Sequence, residues 1–183
     1  MAPQGDLLEE LLVQHDAVRV HFSALGGVPL GDPERRRLVD LVSAELMGHL
    51  AVEERLLHPV VRRHLADGRT LAGLNLAAHR TVEGLLADLR YADVASALFD
   101  RLVARLVEET TRHFGEEEAQ LFPAVRAAVP AATLHRLGEK TGAALAHAAV
   151  HPKPQPPAVK PPDRLPPPER GLAARLRAFL TPS

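Results

Sequence analysis

Apolar residues recur along the first two-thirds of the chain at steps of three and four. Leu7, Leu8, Leu11, Leu12, Val18, Phe22 and Leu25 form one such stripe, interrupted by His15, and predict an amphipathic helix over roughly residues 5–25. Gly26-Gly27 ends it. Asp32-Pro33 then reads as an N-cap followed by proline at the first helical position. The second stripe runs through Leu38, Leu41, Val42, Leu46, Val52, Leu56 and Leu57 towards Leu65, with Asp67-Gly68 closing it. Pro59 lies inside it and predicts a kink or break near His58, because proline lacks the N–H of the helical ladder. A third stripe, Thr70 to Tyr91, carries Leu71, Leu74, Leu76, Val82, Leu85, Leu86 and Leu89. A fourth starts near Asp93, carries Val94, Leu98, Leu102, Leu106, Leu121 and Phe122, and ends at Pro130. Long helices with short connections predict an all-α fold, an antiparallel up-down-up-down four-helix bundle over residues 1–130.

Beyond Pro130 the periodicity weakens. Residues 131–150 predict one extra helix, with Gly138 and Gly142 weighing against it. From His151 to Pro168, nine of eighteen residues are proline, which makes a semi-rigid Pro-rich linker. Residues 169–183 read as a short basic amphipathic helix with Leu172, Leu176, Phe179 and Leu180 on one face. That tail docks on its own chain or on an unknown protein partner; a helix this short is marginal in water unless docked.

Composition narrows the chemistry. The chain has 183 residues and a net charge of −1, so nothing draws it to nucleic acid. No run of about 18 apolar residues predicts a membrane span, and Met1–Asp6 lacks the pattern of a signal peptide. The absence of cysteine excludes disulfides, iron–sulfur clusters and thiolate zinc, and suits a cytoplasmic location. A bound metal would take His and carboxylate ligands, which suit iron, manganese or zinc.

The polar interruptions of the stripes repeat. His49-Leu50-Ala51-Val52-Glu53-Glu54-Arg55-Leu56-Leu57-His58-Pro59 returns 64 residues later as His113-Phe114-Gly115-Glu116-Glu117-Glu118-Ala119-Gln120-Leu121-Phe122-Pro123. A further His precedes each copy by 34 residues, His15 and His79. Residues i and i+4 of a helix lie about 40° apart around the axis and roughly 6 Å apart along it. His49 with Glu53, and His113 with Glu117, therefore project into the same space. A single His-x-x-x-Glu carries little weight in a chain with 10 His and 14 Glu; the matched offsets carry the argument. The simplest assembly puts one metal by His15 and His49, a second by His79 and His113, and bridges them with Glu53 and Glu117.

The order His, His-x-x-x-Glu, His, His-x-x-x-Glu over about residues 5–130, closing on Leu121-Phe122-Pro123, resembles the hemerythrin-like family, the HHE cation-binding domains. The resemblance implies a non-haem di-iron centre with His15, His49, His79 and His113 as terminal ligands and Glu53 and Glu117 as bridges. Oxygen-carrying members have a further His four residues after the third-helix His. Here that position is Glu83, and its counterpart in the first half is Arg19. Oxygen carriage is thereby put in question, and Glu83 becomes a candidate seventh ligand that i+4 geometry permits.

Other histidines fit less well. His58 lies about 180° round a uniform helix from His49, which suits packing or a hydrogen bond behind a ligand. His64 lies roughly 22 Å beyond His49, and His21 has the wrong phase. His135 with Glu139 reads as an exposed pair, and His147 and His151 as solvated. Glu54, Glu116 and Glu118 read as a charged rim behind the ligands. Three functions are open to such a chain. One is a di-iron protein that binds or reacts with oxygen, peroxide or nitric oxide, including catalase-like turnover. Another is an iron- or oxygen-sensing module that signals through its C-terminal tail. The third is a metal-free structural bundle.

Overall fold

The structure is a computed structural model that describes residues 5–150. All regular structure among the described residues is helical. The Pro-rich stretch 151–168 and the basic helix expected over 169–183 lie outside them.

Helix α1 spans Leu7–Gly26. Asp6 opens it by accepting hydrogen bonds from the Leu8 and Glu9 amides at 2.9 and 3.1 Å, while Glu9 accepts the Asp6 amide at 2.8 Å. Three backbone donors at the start of the helix are thus satisfied. Helix α2 is Glu34–Val52, with the Asp32 carboxylate accepting the Glu34 amide at 2.8 Å. A five-residue π-helical turn, Glu53–Leu57, joins it to α3, His58–His64. Helix α4 is Gly68–Tyr91 and α5 is Ala97–Glu116. Asp67-Gly68 therefore stands at the start of α4, three residues after α3 has ended. A second π turn, Glu117–Leu121, leads into α6, Phe122–Ala128.

The two π turns resolve the proline problem posed by the sequence. The His58 amide reaches back to the Glu53 carbonyl, and the Phe122 amide to the Glu117 carbonyl. Each proline then sits in the first turn of the following short helix, where a missing N–H costs nothing. The wide turn also absorbs one residue of helical phase. His58 consequently lies about 80° rather than 180° round from His49, which turns it inward.

The single extra helix expected over 131–150 is two: α7, Ala131–Gly138, and α8, Thr141–Val150. Helix α1 packs on α2 and α4 on α5, while α7 lies against α1 and α8 against α2. Gly138 is required by this docking: a Cβ there would stand 2.2 Å from the Gly5 carbonyl oxygen. Leu134 and Ala144 are buried in the core.

The core is two apolar clusters with a polar layer between them. Val18, Phe22, Val42, Leu46, Leu50, Val82, Leu86, Leu102 and Leu106 belong to one. Leu7, Leu11, Val52, Leu57, Val61, Ala72, Leu121 and Val125 belong to the other. On every long helix the boundary falls at the candidate ligands. Arg36 of α2 donates to the Leu89 carbonyl at 2.7 Å and Arg35 to the Leu25 and Val28 carbonyls at 3.2 and 3.1 Å, adding a side-chain donor to carbonyls at and just beyond the ends of α4 and α1.

Candidate metal centre

Six of the seven candidate ligands meet in the polar layer. His15 comes from α1, His49 from α2, Glu53 from the first π turn, His79 from α4, His113 from α5 and Glu117 from the second π turn. All six are at most 1 % exposed. Two groups of potential ligand atoms lie within 4.8 Å of one another: His15, His49, Glu53 and Glu117; and Glu53, His79, His113 and Glu117. Both carboxylates belong to both groups. Glu83 is half-buried and belongs to neither.

The two groups are related by the internal repeat. The His15 and His49 rings meet edge-on at 4.8 Å, and those of His79 and His113 at 5.1 Å. His15 Nδ1 is 2.7 Å from Glu118, and His79 Nδ1 is 3.1 Å from Glu54. Each lone His is thus held by the acidic pair of the opposite half, so neither half can assemble the site alone. His49 Nδ1 donates to Gln14 Oε1 at 3.2 Å. A proton held on Nδ1 leaves the Nε2 lone pair free for a metal. Of the expected rim, Glu54 and Glu118 serve this role, while Glu116 pairs with Arg112 at 3.4 Å. Arg19 donates to Glu118 at 2.7 Å.

Whether these residues fit a metal is answered by their unpartnered atoms. His15, His49 and His113 Nε2, Glu53 Oε1 and Glu117 Oε2 are buried and have no hydrogen-bond partner. Buried polar atoms are nearly always paired, and each exception has a cost. His49 Nε2 lies 3.5 Å from Glu53 Oε1, and His113 Nε2 lies 3.6 Å from Glu117 Oε2. Those separations are long for hydrogen bonds. Two donors each about 2.1 Å from one ion and about 110° apart stand about 3.4 Å apart. The donor set fits metal ions.

Without metal, the cluster sorts its charges. Burial disfavours a charged His79, but the hydrogen bonds it donates to Glu53 and Glu54 overcome it and raise its pKa to about 9. His15 is raised in the same way, against burial, by Glu117, Glu53 and Glu118. His49 falls to about 3 through burial, which prevails over the opposing pull of Glu53; the neighbouring histidines act in the same direction as burial. Glu53 is held well below the usual carboxylate range, against burial, by His49, His113 and His79; Glu117 is raised by burial and by the charge on Glu53.

Two buried polar residues escaped the sequence reading. Asn75 donates to Glu117 Oε1 and accepts from His58 Nε2, the latter at 2.7 Å. Gln14 pairs with His49. The signal for Asn75 was present: it stands one helical turn before His79 on an apolar stripe, where the first repeat has Leu11. Of the remaining histidines, His21 pairs with Glu45 at 2.8 Å, His64 is half-buried outside both groups, and His135 and Glu139 are exposed.

These features define a helical protein with a buried His/carboxylate cluster able to hold metal ions. The sequence matches the family profile described as hemerythrin HHE cation binding domain over residues 6–125 and again over 70–149, and the chain belongs to that family. The two matches start 64 residues apart, which is the repeat offset. A crystal structure of a hemerythrin HHE cation binding domain-containing protein from Mycobacterium kansasii is similar in fold, with a TM-score of 0.69, 24% identity, and coverage of 78% of this chain and 86% of that one. No curated protein matches the chain. Among the described residues, no helix is long and apolar enough to cross a membrane.

Proposed function

We propose that the chain is a cytoplasmic non-haem di-iron protein, an up-down-up-down four-helix bundle that binds or reacts with oxygen, peroxide or nitric oxide. The observation that carries this reading is the pair of four-residue groups sharing both carboxylates. His15 and His49 would hold one ion, His79 and His113 the other, and Glu53 and Glu117 both. Glu83, outside both groups, is not required. Two irons would supply electron pairs for reducing a small oxidant. The apolar clusters on either side of the polar layer exclude water from it. Glu118, Glu54 and Gln14 hold protons on Nδ1 of their histidines and so fix the ring that faces the ion.

The test is metal content per chain in untagged protein from iron-replete cells, followed by turnover of peroxide. Two irons per chain and peroxide-dependent oxidation are expected. No metal, with a melting temperature unmoved by ferrous iron added anaerobically, overturns the reading and leaves a structural bundle.

One contact favours a second reading, a metal-sensing module. Helix α8 packs on α2, with Leu145 at the bare face of Gly48, where a Cβ would lie 3.2 Å away. Gly48 adjoins His49, and α8 leads into the Pro-rich tail. Proteolytic protection of that tail, compared with and without iron, separates sensing from turnover: a sensor changes protection on loading, and a simple catalyst does not.

A further inference from the structure

The two carboxylates of the shared site do not present their oxygens alike. Glu53 offers both. Its Oε1 stands 3.5 Å from His49 Nε2 in one group, and its Oε2 stands 2.9 and 3.7 Å from His79 and His113 Nε2 in the other. Glu117 offers one. Its Oε2 lies 3.5 Å from His15 Nε2 and 3.6 Å from His113 Nε2, so this single oxygen faces a histidine of each group. The other oxygen, Oε1, is taken by the Asn75 amide.

The reason is a buried chain of hydrogen bonds, from His58 through Asn75 to Glu117, that joins the two halves and has no counterpart at Glu53. An ionised Glu117 accepts, so Asn75 donates through Nδ2 and its Oδ1 must accept. His58 Nε2, 2.7 Å from Oδ1, is then the donor. Asn75 is fully buried and His58 is 2 % exposed. The repeat puts Leu11 where Asn75 stands and Phe122 where His58 stands. Neither can hold Glu53.

Taking the di-iron reading as given, we infer that Asn75, backed by His58, is a positioning residue that restricts Glu117 to one metal-facing oxygen while Glu53 uses two, making the carboxylate bridges unequal. The residues that hold the asymmetry are distinct from the ligands.

The test is the iron–iron distance from X-ray absorption of iron-loaded protein, comparing the natural chain with the double variant His58→Phe, Asn75→Leu. That variant gives each position the residue of its repeat counterpart, Phe122 and Leu11, a pairing the fold already accommodates. Asn75→Ser, which keeps a hydroxyl too short to span Glu117 and His58, replaces it if the double variant does not fold. A carboxylate that bridges through one oxygen holds two ions closer than one that bridges through both, so a longer distance is expected in the variant at unchanged iron content. An unchanged or shorter distance means that Asn75 only packs, and overturns the inference alone. A natural chain that binds fewer than two irons overturns the di-iron reading itself.

Discussion

The two lone histidines occupy equivalent places in the repeat but unlike surroundings. His15 lies between aromatic rings, stacked on Phe114 at 3.7 Å and 11° and facing Phe122 at 5.6 Å. His79 has Leu50 and His58 at the equivalent positions, and the His58 ring lies 5.2 Å away. One side of the centre is walled by apolar rings, the other by a polar chain running to Glu117. The candidate ligands occur twice and their supports do not. The candidate site is therefore symmetric in residue type, while the forces that orient each side chain differ from one half to the other.

The largest effect separates shared from unshared ligands. Glu53 belongs to both groups and His15 to one. Glu53→Ala is expected to lose both ions, and His15→Ala to retain one on the His79 and His113 side. Metal analysis after gel filtration reads this directly. A Glu53→Ala protein that keeps one ion breaks the shared-carboxylate arrangement.

Next comes the aromatic wall. Phe114 is 1 % exposed and stacked on His15. Truncating a buried phenylalanine costs about 3–5 kcal/mol, and a leucine about 2–5. Phe114→Ala is expected to destabilise the chain more than Leu50→Ala at the equivalent position, measured by denaturant unfolding. The reverse order would mean that the ring stack adds no stability.

The sequence made the symmetric part of this molecule legible, because ligand spacing and helical phase both follow from residue identity alone. His15, His49, Glu53, His79, His113 and Glu117 are all named by the repeat. The asymmetric part was hidden. A uniform helical phase turns His58 away from the site, and a π turn is invisible to a 100° count. Asn75 and Gln14 lie on apolar stripes in separate helices from the groups they serve, so no local spacing ties them to the site. Periodicity over residues 131–150 predicts one helix rather than two, because the close approach of α7 to Gly5, which needs Gly138, is a tertiary contact.

A smaller effect lies at the outer end of α1. Asp6 pairs with Arg126 at 2.7 Å and caps α1. Its counterpart in the repeat is Thr70, which is exposed. Burial opposes ionisation of Asp6, but Arg126 and the Glu9 and Leu8 amides prevail and lower its pKa below 3.8. A depressed carboxyl stabilises the fold fully above its unfolded pKa and loses that contribution as pH falls through the folded value. Asp6→Asn, which keeps a capping oxygen but removes the charge facing Arg126 and the first turn of α1, is therefore expected to cost about 0.5–1 kcal/mol at neutral pH, with the gap closing below about pH 4. Thr70→Ala should show no such closing. Stability curves for both variants between acid and neutral pH check this, and a gap that persists in acid would assign the effect to packing.

The smallest effect tests the support of His113. Three of the four histidines have an acceptor for Nδ1, whereas His113 Nδ1 is buried without one. The residue before His15 is Gln14, which serves His49; the residue before His79 is Ala78, which is half-buried and has nothing to offer His113. Ala78→Gln copies the first half's solution into the second. A new hydrogen bond gains about 1 kcal/mol, and fixing a glutamine side chain costs up to a similar amount. The net is a rise in melting temperature of at most about 2–4 °C. Gln14→Ala should cost more than this gain, because it orphans a buried donor on His49, a loss of about 1–3 kcal/mol. If both substitutions leave the melting temperature unmoved, the Nδ1 partners orient the rings only once a metal is bound, and the comparison must be repeated with loaded protein, where Ala78→Gln is expected to slow the release of iron to a chelator.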